Sequence, residues 1–169
     1  RSRMHGVPVL ESASSKEVCW SLLPDDQHRP DGDILVPLSR LAEGLGRNGK
    51  GRLGVVLKAD ERVDELREAL PRLDLVSLSF SIFRDGRAFT QARSLREHLH
   101  FAGAVRVTGH FLPDQYEFLL RCGVTQFVIP EQSDLAVWKK AHELVTLAYQ
   151  PSVLNERQEG FAFRRFLSP

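Results

Sequence analysis

The segment Asp85-Gly86-Arg87 sets opposite charges on either side of a glycine. A guanidinium at the mouth of a helix can hold an oxyanion through its bidentate fork, and glycine allows a tight turn and close backbone approach. Arg93 and Arg96 follow on the same predicted helix, with Arg93 in its second turn. A second group is Gly109-His110 with Asp114 and Gln115 shortly after it. An imidazole beside a carboxylate can act as a general base, or switch its charge near neutral pH. Each group also has a plain structural reading. Asp85 would cap the helix while the arginines pair with Glu97 or solvent, and His110 would be polar packing. No nucleophile accompanies them: Cys122 ends a predicted helix away from both groups, where a thiolate role is not expected. His98 and His100 lie on different faces of one helix and cannot chelate one metal. Phe80, Phe83 and Phe89 surround the Asp-Gly-Arg turn and read as core residues.

Two glycine motifs mimic phosphate sites. Gly44, Gly46 and Gly49 spell G-x-G-x-x-G, and Gly44 to Lys50 reads G-x-x-x-x-G-K. Phosphate binding requires such a loop to leave a strand and open a helix. Here it closes a helix and feeds a strand, and Gly51 stands where a magnesium-binding Ser or Thr would be. Both are rejected, and no cofactor is expected.

The side chains singled out converge only if they share one edge of a parallel sheet. Short apolar runs alternate with helical periods from Ile34 onward. The predicted strands are Ile34–Val36, Leu53–Leu57, Leu75–Phe80, Val105–Thr108 and Gln126–Ile129. Helices are expected from Pro37 to Leu45, with Leu38, Leu41, Ala42 and Leu45 on one face, and from Asp60, with Val63, Leu66 and Leu70 inward. Further helices run from about Phe89 to His100, from Pro113 to Cys122 with Gly123 as left-handed cap, and from a Ser133-Asp134 cap to near Tyr149. The class is therefore α/β: repeated βα units with a mainly parallel sheet and right-handed crossovers. Periodicity fits a partial (βα) barrel and a doubly wound sheet equally, and the lack of an edge-strand signature leans to the barrel. Residues 1–33 form an irregular segment, with short strands at Val7–Leu10 and Val18–Leu23 separated by serines. Residues 34–150 form the βα-repeat domain. The tail, 151–169, with Phe161, Phe163 and Phe166 interleaved with Arg164 and Arg165, is expected to pack on the body or on another subunit.

The bulk properties fit one domain: 169 residues, 42% hydrophobic and 27% charged, enough to fold without metal or disulfide. Twenty-three basic residues balance twenty-two acidic ones with no basic block, so neither nucleic acid nor a membrane surface is an expected partner. Cys19 and Cys122 match no metal or redox spacing. No stretch suits a bilayer span or a signal peptide, so a cytoplasmic location is expected. Met4, the one methionine, is the expected start, with Arg1–Arg3 left out of the fold.

The ordered run Phe80-x-x-Phe83-x-Asp85-Gly86-Arg87-x-Phe89-Thr90-x-Ala92-Arg93-x-Leu95-Arg96 resembles the signature of domain-of-unknown-function family 934. Gly103-x-x-Arg106-x-x-Gly109, Asp114-Gln115, Arg121-Cys122-Gly123-x-x-x-Phe127, Asp33-x-Leu35-Val36-Pro37-Leu38 and Ala148-Tyr149-Gln150 continue it in order, from about Asp33 to Gln150. Members are proteobacterial proteins often labelled probable oxidoreductases of sulfite reduction, and their genes typically lie beside assimilatory sulfite reductase. The resemblance implies an accessory role in sulfite reduction and cysteine biosynthesis, with sulfite reductase or another sulfur-assimilation enzyme as partner; a homo-oligomer is a further expectation. Ile82 replaces the family's usual lysine, Ala88-Phe89 its Gly-Tyr, His110 an aspartate and Pro113 an arginine. Two potential anion contacts are thereby lost. The chain also has no iron–sulfur cysteine cluster and no haem-attachment motif, so any electrons would pass through a partner.

Overall fold

The computed structural model describes residues 8–11, 14–17, 20–23, 32–80, 85–128 and 136–137. Eight strands form one sheet: β1 (Pro8–Glu11), β2 (Ser14–Glu17), β3 (Ser21–Leu22), β4 (Ile34–Pro37), β5 (Leu53–Leu57), β6 (Leu75–Phe80), β7 (Ala104–Gly109) and β8 (Gln126–Val128). Their order across the sheet is β2-β1-β8-β7-β6-β5-β4-β3. From β3 to β8 every pairing is parallel, whereas β1 runs antiparallel to both β8 and β2. Each parallel strand sits beside its predecessor with no reversal, so right-handed crossovers put the connecting helices on one face. A doubly wound sheet needs a switch point, and this order has none; the six parallel strands make a curled half-barrel.

Covalent geometry fixes how far the curl goes. β2 and β3 lie at opposite extremes of the sheet, yet only residues 18–20 join them. Four Cα steps cannot span more than ~15 Å, whereas eight strands laid flat would be ~34 Å across. The hairpin therefore carries the curl onward until the two edges nearly meet. Trp20 shows the same thing from inside. It precedes β3, but its indole lies 5.8 Å from the Arg106 guanidinium of β7, four strands away in the pairing order.

The convex face is apolar. Ile34, Val36, Val55, Leu57, Val76, Leu78, Phe80, Val105, Val107 and Phe127 alternate along their strands and pack with the outer helices. Helix α1 (Leu41–Leu45) follows a 3₁₀ turn, α2 (Arg87–Glu97) packs on β6, and α3 (Tyr116–Arg121) sets Tyr116 against Phe127 of β8. In α1 the buried positions are Leu41 and Gly44, while Ala42 is exposed, contrary to its expected inward face. Gly44 is the tighter fit, since a Cβ there would sit 3.1 Å from both Val36 and Leu53.

Two expectations are corrected. The stretch after Asp60 is not an α-helix but two 3₁₀ turns, Val63–Leu66 and Leu70–Arg72. Pro71 lacks the N–H that a continuing helix would need, although Val63, Leu66 and Leu70 are buried as expected. At the amino end, Ser14 and Ser15, assigned to a connection, belong to strand β2, and among the described residues of the second predicted strand Ser21–Leu22 is extended into the sheet. Ile129, the cap at Ser133-Asp134 and the tail lie outside the described residues; Ala136 and Val137 of the last predicted helix are helical. Among the described residues no helix is long and apolar enough to cross a membrane.

Candidate functional site

Strands β6 and β7 end side by side, because Phe80 pairs with Gly109. That junction requires glycine: Gly109 has φ +99°, and a Cβ would lie 2.2 Å from the Phe80 carbonyl oxygen. The next amide, His110 N–H, donates to the same oxygen at 3.2 Å. Its imidazole is exposed at the tip of β7. Asp114 is exposed in the 3₁₀ turn before α3, and Gln115 Oε1 accepts the Leu112 amide at 3.0 Å. Gln115 thus fastens the start of that turn. Among the described residues no hydrogen bond joins His110 to Asp114.

At the end of the β6 connection, Asp85 and Arg87 hold each other. Arg87 Nε and Nη2 donate to the two Asp85 oxygens at 2.9 and 2.8 Å, and the Arg87 amide donates to Oδ1 at 3.1 Å. The Arg87 side-chain bonds and then its amide hold the Asp85 carboxyl below its usual range. Asp85 in turn raises the guanidinium, with Asp60 of the neighbouring loop adding to it. Gly86 has φ −74° and open space around it, so its glycine freedom goes unused.

Arg93 is not part of this rim. It pairs with Glu97 one turn on, Nη2 to Oε1 at 2.7 Å, and its charge is felt at Cys122, at the far end of α3. Burial pushes the Cys122 thiol up to about 11, so it stays protonated and inert. The structure therefore unites Asp85 with Arg87, and Gly109 with His110 on Phe80. It separates Arg93 from both.

Three buried polar side chains carry more of the architecture. Gln91, 7% exposed, donates through Nε2 to the carbonyls of Lys58 and Glu61 at 2.8 and 2.9 Å, tying the loop after β5 to α2. Arg96 is buried at the opposite end, donating to the carbonyls of Gly123, Phe101 and Gly103. Both break the apolar stripe Ala88–Ala92–Leu95 of α2, and that interruption was the available signal. Arg106, 4% exposed, points into the curl of the sheet and reaches Gln126 Oε1 with Nε and Nη2 at 3.0 and 2.9 Å.

The glycine loop has the order that excluded a phosphate site: α1, then the turn, then β5. Gly51 has φ +133° and lies against the Gly32 carbonyl, which also accepts from Arg47 Nη2 at 2.9 Å. Among the described residues no three metal-ligating side chains converge.

No curated protein and no solved structure matches the chain. A family profile does, across residues 54–159, which include the strand-end turns of β5, β6 and β7. The chain belongs to the family described as bacterial protein of unknown function, DUF934.

Proposed function

We propose that this protein is an accessory factor of assimilatory sulfite reduction that works by binding a partner, sulfite reductase or another enzyme of sulfur assimilation, through the carboxyl-end rim of its sheet. The family resemblance supplies the context. One observation favours a protein partner over a small oxyanion at the rim: the Arg87 fork is already closed on Asp85. Asp60 adds a second carboxylate to the field at that guanidinium, and Asp114 lies exposed after β7. With the Arg87 charge met by Asp85, the exposed carboxylates beside it suit the basic surface of a protein. Beyond it, Phe118 of α3 stays 42% exposed against Phe89 of α2, at a ring separation of 5.1 Å. Polar edges around aromatic contacts are usual in protein interfaces. Co-purification with sulfite reductase from a native extract, together with slowed growth on sulfate after deletion, is the expected result. Normal growth and no association would overturn the reading.

A second reading, oxyanion binding or catalysis at the same rim, draws on the exposed His110 beside the Phe80–Gly109 junction. Sulfite, sulfate, phosphate and nucleotides would then raise the melting temperature, by roughly 2.7 kcal/mol of stability at 100 Kd. An Arg87→Ala variant would lose that response.

A further inference from the structure

The inner face of the curled sheet is unlike its outer face. Pro37, Val56, Ser77, Arg106 and Gln126 are register partners across five strands, and Ser77 and Arg106 are both buried. Closed (βα) barrels usually fill this space with branched aliphatic side chains; here Leu35, Val56 and Leu75 share it with a guanidinium, an amide and a hydroxyl. Trp20 enters the same space from the segment that joins the two edges of the sheet. Its ring has Arg106 Cζ at 5.8 Å and Arg52 Cζ at 5.1 Å. Cation–π attraction accounts for those positions, but it uses only the ring faces.

The indole N–H lies in the plane of the ring and is unaccounted for. Trp20 Nε1 is buried and has no acceptor among the described residues. A buried donor left unpaired is costly, so it signals a missing acceptor. The local field selects the type of acceptor. Two guanidinium groups flank the ring, and a third, Arg47, adds to the field at Asp33 and carries its own buried, unpartnered Nη1.

We propose that the barrel interior binds a small inorganic oxyanion that accepts the Trp20 indole N–H beside Arg52 and Arg106. The indole supplies the open donor, while both guanidinium groups are engaged: Arg52 also holds Asp33 and Arg106 holds Gln126. It is independent of the partner proposed for the rim, since it concerns the inside of the sheet.

Trp20 and Trp138 are the two tryptophans, so a Trp138→Phe variant leaves one indole signal. Titrating that variant with sodium sulfate, sulfite or phosphate, with chloride as the ionic-strength control, should move the Trp20 indole proton downfield and saturate. The melting temperature should rise with the same anions in the otherwise unaltered chain. Trp20→Phe keeps the ring for both cations and deletes only the donor. It should melt no lower than the parent and need at least tenfold more oxyanion for the same shift. An indole resonance that ignores all three oxyanions, or follows chloride equally, would overturn the proposal. So would a Trp20→Phe protein with an unchanged oxyanion response.

Discussion

The two ends of the sheet use arginine in opposite ways. At the amino ends of the strands, Arg96 and Arg47 donate to backbone carbonyls of the loops entering β4, β7 and β8, and Arg52 locks onto Asp33 between β4 and β5. At the carboxyl ends, Arg87 meets its near neighbour Asp85 alone among the described residues, and its side chain remains 60% exposed. The first group joins segments distant in sequence; the second stiffens one turn. Stability should therefore reside in the amino-end arginines, leaving the carboxyl-end rim available for recognition.

The largest effect is expected at Arg96. Replacing it by alanine strips three carbonyls of their donor in a buried place, a loss of about 3 kcal/mol or more. Lysine should not restore it, because an ammonium cannot reproduce the planar fork. Urea denaturation measures both variants, and a loss below about 1 kcal/mol for Arg96→Ala would remove the basis for the contrast.

Gly109→Ala comes next and probes the other end. A side chain at φ +99° against the Phe80 carbonyl should cost about 2 kcal/mol. Gly86→Ala, at an ordinary backbone angle in open space, should be close to neutral. Melting curves of the pair should differ clearly; equal curves would mean that the β6–β7 junction is looser than described.

The Asp33–Arg52 pair gives a smaller, pH-dependent effect. Arg52 lowers the Asp33 pKa below its ordinary 3.8, chiefly through the side-chain hydrogen bond. A lowered carboxylate stabilises the fold above its unfolded pKa, and the gain is lost as pH falls through the folded value. The pair is partly exposed, so solvent screening limits it to about 1 kcal/mol or less. Asp33→Asn should be weaker than the parent at pH 7, and the gap should close below about pH 4. A gap unchanged at pH 3 would show that the carboxylate charge is not the cause.

Cys122 should show the weakest response. With its thiol raised to about 11 by burial, it should resist alkylation at pH 8 in a Cys19→Ser background until the protein is unfolded. Rapid labelling of the native protein would contradict its burial.

Much of this architecture is legible in the residues themselves. Leu53–Leu57 and Leu75–Phe80 are apolar apart from Gly54, Ser77 and Ser79 because both faces are covered, and their observed limits match the expected ones. Gly123 at φ +95° ends α3 in the left-handed conformation expected of it. What the sequence hides depends on long-range contacts. The serine strand β2 has little strand propensity and becomes extended by pairing with β1, which β8 holds in turn. The nearness of Trp20 to Arg106 follows from sheet closure, which no local pattern encodes. At the candidate site the chemistry of Asp85, Arg87 and His110 was readable. Their pairing was not: whether Arg87 binds a ligand or its neighbour is decided by a turn geometry that spacing alone leaves open.

The most direct test of the division between the two ends is a paired measurement on the Asp60→Lys/Asp114→Lys double variant, which reverses two exposed carboxylates of the rim: its melting temperature, and its co-purification with sulfite reductase from native extract. The account expects an unchanged melting temperature and lost association. A variant that melts as the parent does and still brings down the reductase would contradict it.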